Sequence, residues 1–468
     1  LAATVVSAQA PRRPLTQRDF GAWRSISSPV LSRDGRVLAY AFMPQEGHGD
    51  LRVKALRDGR EWTHGAGALP PPPIQLPEDV NPEAPVPQPS IRIAITSDGR
   101  FVVATTYPTR AETEKARKAR KKPEEMPKGG LLVVETASGA AVRLENVKSV
   151  QVPARGGAWA AYLKEPKPEP KKEDPAKAEA GPRRPGADRR EFGSELVLRD
   201  LASGAERSFP DVLEYSFARD GRTLLFAVSS RSEERNGVYA FTPGTAEPTA
   251  LLAGKGRHLK LAWDREQRQA AWVSSQEGAA APAFQVFLWA RGQAAARAAV
   301  GPATPGFPKD LAVADKGTLA FSRDGGRLYV PAAAPARPAG EAEEGAEDKV
   351  VADLWHWMDD QVQPIQRVRA NQERNRTFRG VYHIAEGRYV QVSDATLPAV
   401  SFSDDGARAI GFDDRAYRRR TDYDGAYADL YVVDTALGTR ALALKEFRGA
   451  LGGRGGGPLA WSPDGRHA

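Results

Sequence analysis

Ser32-Arg33-Asp34-Gly35-Arg36-Val37-Leu38-Ala39-Tyr40 is a tight turn followed by an apolar strand, and the chain repeats it. Thr96-Ser97-Asp98-Gly99-Arg100 runs into Phe101–Ala104, and Ala218-Arg219-Asp220-Gly221-Arg222 into Thr223–Phe226. Ser322-Arg323-Asp324-Gly325 precedes Leu328–Val330, Ser403-Asp404-Asp405-Gly406 precedes Ala409–Phe412, and Ser462-Pro463-Asp464-Gly465-Arg466 falls near the last residue. Two worn copies fill the wide gaps: Gly156-Gly157 before Trp159–Tyr162, and Asp264 before Ala271-Trp272-Val273.

Asp-Gly suits a two-residue hairpin turn, because both positions tolerate positive φ. The following strand is apolar on nearly every residue, which means burial on both faces. In an antiparallel protein such a strand lies between two stacked sheets. Repeats that each build a small sheet, without a helical spacer, mark a β-propeller. The marks near 34, 98, 156, 220, 264, 324, 405 and 464 give intervals of 64, 58, 64, 44, 60, 81 and 59 residues. A bare four-stranded blade needs about 40–45 residues, so most intervals also carry inserts. The expected fold is all-β, a propeller of about seven blades with a partial eighth, spanning 11–468.

Composition narrows the function. The chain has 468 residues, 41% hydrophobic and 27% charged, with a net charge of +8. The basic excess sits largely in low-complexity stretches interleaved with Glu, so nucleic acid is not the expected partner. With no cysteine, disulfides, thiol chemistry and Cys-based metal sites are excluded. Residues 1–10, ending Ala8-Gln9-Ala10, read as the remnant of a secretory signal cleaved after Ala10, which predicts an exported protein. No later stretch approaches the length of an apolar membrane span.

The inserts are placed at 69–90 (Pro-rich), 112–128 (a charged helical excursion or an unfolded loop), 164–190 and 331–349. Gly49–Leu56 alternates and reads as an outer strand, and Tyr417–Tyr427 as a long loop between strands. The last repeat stops inside the turn that should introduce a core strand. The chain is therefore expected to be a fragment, cut in its last blade.

Several stretches in order resemble the propeller half of secreted serine peptidases of the prolyl oligopeptidase family. They are Pro14-Leu15-Thr16 with Trp23–Ile26, the charged Lys121–Lys128 before Leu131, and above all Asp353-Leu354-Trp355-His356-Trp357-Met358-Asp359-Asp360 with Gln366, Asn375-Arg376 and Val381-Tyr382-His383. The Asp-Gly repeats alone are shared with TolB-like propellers. The resemblance implies a C-terminal α/β-hydrolase domain whose Ser, Asp and His attack a peptide carbonyl, with the propeller filtering access to it. This chain has no Gly-x-Ser-x-Gly and only six His, so no catalytic residue is carried over. No cofactor and no metal is implied. The partners implied are a peptide substrate and that hydrolase domain.

Trp355, His356 and Trp357, with Asp353, Asp359 and Asp360, form the constellation that stands out. They could face the hydrolase or a peptide; the reading favoured from sequence is aromatic packing between blades with the carboxylates in turns. Asp353, His356 and Asp360 have helical spacing, but one His is a poor metal set. Arg367, Arg369, Arg374, Arg376 and Arg379 could bind a substrate carboxylate; a solvated face, or pairing with the Asp cluster, is the simpler expectation. Trp355, His356, Trp357, Arg367 and Arg369 are thus the candidates for substrate binding. Glu343-Glu344 lacks aromatic context, so a grip on a peptide's N-terminal amine is not carried over. The alternative function is a stand-alone TolB-like periplasmic propeller that binds a protein.

Overall fold

The computed structural model describes residues 16, 20–21, 23–45, 47–71, 89–166, 191–276, 283–335, 355–448, 461–462 and 467. The proposed signal remnant, nearly all of 69–90 and 164–190, the Glu343-Glu344 pair, Asp353 and the last Asp-Gly turn lie outside them. The chain divides into two units. The first is Leu1–Pro72, Gln88–Lys171 and Leu198–Arg207, and the second is Pro73–Pro87, Lys172–Val197 and Ser208–Ala468.

In the first unit, β1 (Arg24–Leu31), β2 (Val37–Pro44), β3 (Gly49–Ala55) and β4 (Glu61–Gly67) form one antiparallel meander. A second contains β5 (Ile93–Ile95), β6 (Phe101–Thr106), β7 (Gly130–Glu135) and β8 (Ala141–Glu145). β9 (Val147–Gln151) pairs with β10 (Trp159–Lys164). Val37, Ala39, Ala41, Leu51 and Val53 pack against Val102, Ala104, Leu132 and Val134. β3 is the third strand of its sheet and β4 the outer one. The alternation of Gly49–Leu56 therefore marks an inner strand with one polar face, not the outer strand expected.

The division between the units passes through β11 (Ser194–Asp200) and β12 (Glu206–Phe217). In the second unit β12 is followed across its sheet by β13 (Leu224–Val228), β14 (Gly237–Phe241) and β15 (Thr249–Ala253). The next meander is β16 (Gly256–Trp263), β17 (Gln269–Gln276), β18 (Phe284–Ala290) and β19 (Arg297–Val300). Then come β20 (Ala312–Val313) and β21 (Ala320–Phe321), both on β22 (Arg327–Ala333), with β23 (Phe378–His383) and β24 (Arg388–Gln391). The last is β25 (Ala399–Phe402), β26 (Arg408–Asp413), β27 (Tyr427–Asp434) and β28 (Arg440–Arg448). The strand β22 absorbs Pro331–Ala333, so the insert begins later than the expected 331. Pro331 is tolerated there, pairing with Arg379.

These are propeller blades, and the fold is all-β of that class. Adjacent residues of one strand serve two cores. Ala270 and Trp272 join Leu225, Ala227 and Val238, while Ala271 and Val273 join Leu328, Val330 and Tyr382. Tyr329 and Val381 in turn face Ala409 and Val433. The unbroken apolar runs are thus strands covered on both faces by their neighbours.

Each Asp-Gly mark within the described residues lies between the first and second strands of its blade. The turn is longer than the two-residue hairpin expected. Ser32 N–H donates to Val37 O across four loop residues. The Asp is not in the left-handed region; the glycine is, at φ 69° for Gly35. The Asp acts through its side chain: Asp34 Oδ1 accepts from Ser32 Oγ at 2.6 Å and from Arg36 N at 3.1 Å. The Ser or Thr two residues earlier is therefore part of the motif, as the 2.6 Å Thr96–Asp98 and 2.7 Å Ser403–Asp405 bonds repeat. In the second unit the turns also link successive blades. Arg291 pairs with Asp220 at 2.9 Å, Gln269 Nε2 donates to Gly325 O at 2.6 Å, and Arg327 Nη1 donates to Asp405 O at 2.7 Å.

The connection between β24 and β25 is tied to β28 by Asp394. Its carboxylate accepts from Arg440 Nη2 at 2.7 Å and from the Thr396 and Leu397 amides at 2.8 and 3.0 Å. Burial pushes the Asp394 pKa up, but the Arg440 and Thr396 hydrogen bonds outweigh it and bring it down to about 2. A carboxyl depressed on folding stabilises above its unfolded pKa of about 3.9, and that contribution is lost as pH falls through the folded value. Because the carboxylate is partly solvated, the contribution is about 1 kcal/mol. Urea midpoints measured from pH 6 to 2.5 should fall more steeply for the parent than for Asp394→Asn; parallel curves would contradict the assignment.

Candidate functional site

The stretch with the strongest resemblance lies between two paired strands of one blade, β22 and β23. Its described part is a polar turn, residues 355–362, followed by a helix (Gln363–Arg374). The helix was not evident from sequence. Pro364 sits in its first turn, where a missing N–H costs nothing. The short helix at Arg110–Lys118 comes first in the chain and is α1; Gln363–Arg374 is α2.

The turn is locked by its own polar groups. Asp359 Oδ2 accepts from His356 N at 3.1 Å and from Gln366 Nε2 at 3.0 Å. His356 Nδ1 accepts from Met358 N at 3.2 Å, and Gln366 also donates to Gln361 O at 2.8 Å. The Gln366 amide, then the His356 N–H, hold the Asp359 carboxyl below its ordinary range. The backbone N–H and Nδ1 of His356 are engaged in this network, and residues 355–362 are not the helix that a metal set from Asp353, His356 and Asp360 would need.

The aromatic residues are not packed between blades. Trp355 is 62% exposed and Trp357 80%, beside Met358 at 55%. They stand outside every sheet, so no neighbouring blade covers them. Aromatic packing between blades is made by Tyr329, which stacks on Phe402 at 4.1 Å, while Trp263 meets Trp289 edge-on at 6.0 Å within one blade.

The bonds that Arg374 and Arg376 make are local and do not reach the Asp cluster. Arg367 is exposed, Arg374 Nε donates to Ala370 O at 3.2 Å, Arg376 pairs with Glu373, and Arg379 uses its backbone N–H on Ser393 Oγ at 2.7 Å. The cluster is held instead by the loop between β26 and β27. Arg418 Nη1 donates to Asp360 Oδ2 at 2.6 Å and its Nε to Asp414 Oδ1 at 3.0 Å. Arg419 donates to Met358 O. Burial lowers the Arg418 pKa, and the Asp360 and Asp414 carboxylates more than reverse this. The loop is itself braced. Arg415 forms a two-point pair with Asp413 at 2.8 Å, and Tyr417 donates to Asp429 at 2.6 Å, which drives the Tyr417 pKa up to about 12.

Between α2 and this last blade lies a cleft of about 590 Å³. Arg369, Glu373 and Arg376 line one side, Asp360 and Arg418 close one end, and Pro398, Ala399 and Phe412 give an apolar patch. Three carboxylates (Asp360, Glu373, Asp414) face three guanidinium groups (Arg369, Arg376, Arg418). The lining therefore carries no net charge. Gln361, Gln366, Gln372 and Asn375 add amides, of which Gln366 Nε2 is engaged by Asp359 and by Gln361 O, and Asn375 Oδ1 accepts from Lys316 Nζ at 2.7 Å. Such a lining suits a neutral polar chain presenting both N–H and C=O groups, and not a lone ion. Of the candidates from sequence, Arg369 enters the cleft; Trp355, His356 and Trp357 lie on the adjoining turn; Arg367 is an exposed residue of α2. Arg418, Gln361 and Gln372 were missed, and Gln366 and Asn375 were noted only as part of the resembling stretch and not as site residues. Nothing in the local pattern marks Arg418, which meets Asp360 across 58 residues.

Among the described residues no group of His, Cys, Asp and Glu could hold a metal ion, and no helix is long and apolar enough to cross a membrane. No family model and no curated protein matches the chain. Solved structures do. A prolyl endopeptidase is similar with TM-score 0.35 and 14% identity, covering 91% of this chain and 50% of that one. The β-propeller domain of the trilobed protease from Pyrococcus furiosus is similar with TM-score 0.32 and 10% identity, covering 91% and 97%. TolB from Acinetobacter baumannii is similar with TM-score 0.28 and 12% identity, covering 88% and 80%. The chain spans about half the length of the prolyl endopeptidase it matches.

Proposed function

We propose that this chain is the substrate-gating propeller of an exported serine peptidase, whose Ser-His-Asp chemistry belongs to an α/β-hydrolase domain. The observation that carries the reading is the stretch that resembles the prolyl oligopeptidase family. Its described part builds an exposed aromatic turn and one wall of a peptide-sized cleft. A cleft of about 590 Å³ falls within the usual range for ligand sites. Its balanced charges and paired amides match a peptide backbone. In this reading Trp355 and Trp357 contact the peptide or the hydrolase, and Arg418 is a positioning residue that fixes the turn against the last blade.

The test uses the natural-length polypeptide and blocked peptides of four to ten residues. Hydrolysis is expected. Arg418→Met should raise KM roughly tenfold, about 1.4 kcal/mol of binding, with kcat unchanged because the bond-breaking groups are elsewhere. Its stability should fall by about 1–2 kcal/mol, read by urea unfolding. Absence of hydrolysis by the parent would remove the peptidase reading; a loss confined to kcat would remove the role of the cleft.

A further inference from the structure

The excursion between β6 and β7 carries the densest unpaired charge in the described chain. Lys115, Arg117, Lys118, Arg120, Lys121 and Lys122 place six cations in eight residues, all exposed. Arg110 pairs with Glu114 at 3.6 Å. Among the described residues no carboxylate forms a salt bridge with any of the six.

The segment is ordered. Thr109 Oγ1 accepts from Glu112 N at 3.2 Å, and Glu112 Oε2 accepts from Thr109 N at 2.8 Å, a reciprocal cap on α1. Glu112 is thereby committed to the helix. At the other end Arg120 N donates to Arg117 O at 2.9 Å and Lys121 N to Ala116 O at 3.1 Å. Arg120 occupies the left-handed position that closes such a helix, with φ 50°. Glycine is favoured there, so the position holds a cation despite a conformational cost.

Lys115, Arg117 and Lys118 also complement the helix dipole, a sufficient structural reason for those three. Arg120, Lys121 and Lys122 lie past the last helical residue and have no such reason. Ala116 is the buried residue of the helix, and all six cations are exposed to solvent.

We propose that the Lys115–Lys122 tip binds an anionic lipid surface through its headgroup phosphates. An ordered, exposed cluster of cations suits a plane of negative charge, whereas single-stranded nucleic acid calls for a groove with stacking aromatics. Residues 109–128 contain no Phe, Trp or Tyr. The same composition makes the contact peripheral, because no apolar side chain of α1 is available to insert. This inference is independent of the peptidase reading.

Sedimentation of the full chain with vesicles tests it. Vesicles of phosphatidylglycerol and phosphatidylcholine should bind it at about 0.05 M salt and release it near 0.5 M, as screening shortens the range of the charges. Vesicles of phosphatidylcholine alone should not bind. Lys118→Glu, Lys121→Glu and Lys122→Glu together should cut the partition at least tenfold. Lys148→Glu, Lys255→Glu and Lys309→Glu reverse the same charge elsewhere and should leave it within about twofold. Equal losses in the two triple variants, no binding by the parent, or tighter binding to a 20-base-pair duplex than to the vesicles would each overturn the proposal.

Discussion

Trp272→Ala is expected to destabilise the second unit by about 3–5 kcal/mol, the range for emptying a large aromatic site. Trp272 is 0% exposed and belongs to a cluster that includes Leu225, Val238, Phe287 and Trp289. It sits on β17 and fills the core shared with the preceding blade, while its neighbours Ala271 and Val273 face the other core. Its Nε1 has no hydrogen-bond partner. The loss is therefore one of packing alone, and Trp272→Phe should recover most of it, costing about 1–2 kcal/mol. Urea unfolding followed by circular dichroism measures both. A shift below 1 kcal/mol for the alanine variant would mean that the sheets do not stack as described.

The second large effect is in the first unit. Gly67 ends β4 with φ 85°, and a Cβ there would lie 1.9 Å from the backbone oxygen of Tyr107. The approach is made by a hydrogen bond, Tyr107 N to Ala66 O at 2.9 Å, joining the first blade to the second. Backbone cannot swing aside as a side chain would. Gly67→Ala thus combines left-handed strain with an overpacked contact and should cost about 3–5 kcal/mol. Gly35→Ala separates the two terms. Gly35 has φ 69° but nothing within 4 Å of the added atom, so it should cost only about 1–2 kcal/mol. Equal losses at the two glycines would contradict the contact between the blades.

The fold was legible because its signal is repeated and local. The apolar run Leu224–Phe226 after Asp220-Gly221, met again at Leu328–Val330 and Ala409–Phe412, states double burial each time, and the strands follow. The detail of the turn was less legible. Asp-Gly suggests a two-residue hairpin, but the Ser or Thr two positions before the Asp supplies a hydroxyl that makes a four-residue loop self-sufficient. Gly49–Leu56 misled because alternation reports one polar face, which an inner strand can have as well as an outer one.

The site was much less legible. Trp355 and Trp357 look like core residues by type, and type outweighed context. Their segment has no strand pattern, so no sheet was available to bury them. The bonds that define the cleft are long-range and polar. Arg418 meets Asp360 only because two blades bring an insert and a loop together, and no periodicity in sequence encodes that meeting. The arginine run at 367–379 attracted notice by density, yet Arg374 and Arg376 bond to Ala370 and Glu373 beside them in the chain.

The central claim is best tested by treating the natural-length polypeptide with a fluorophosphonate probe and mapping any labelled residue by mass spectrometry. A single labelled serine, lying in sequence that continues past Ala468 and lost on heat denaturation before labelling, is the predicted result. No label on a folded natural-length protein, or a natural chain that ends at this blade, would contradict the peptidase account and leave a binding propeller in its place.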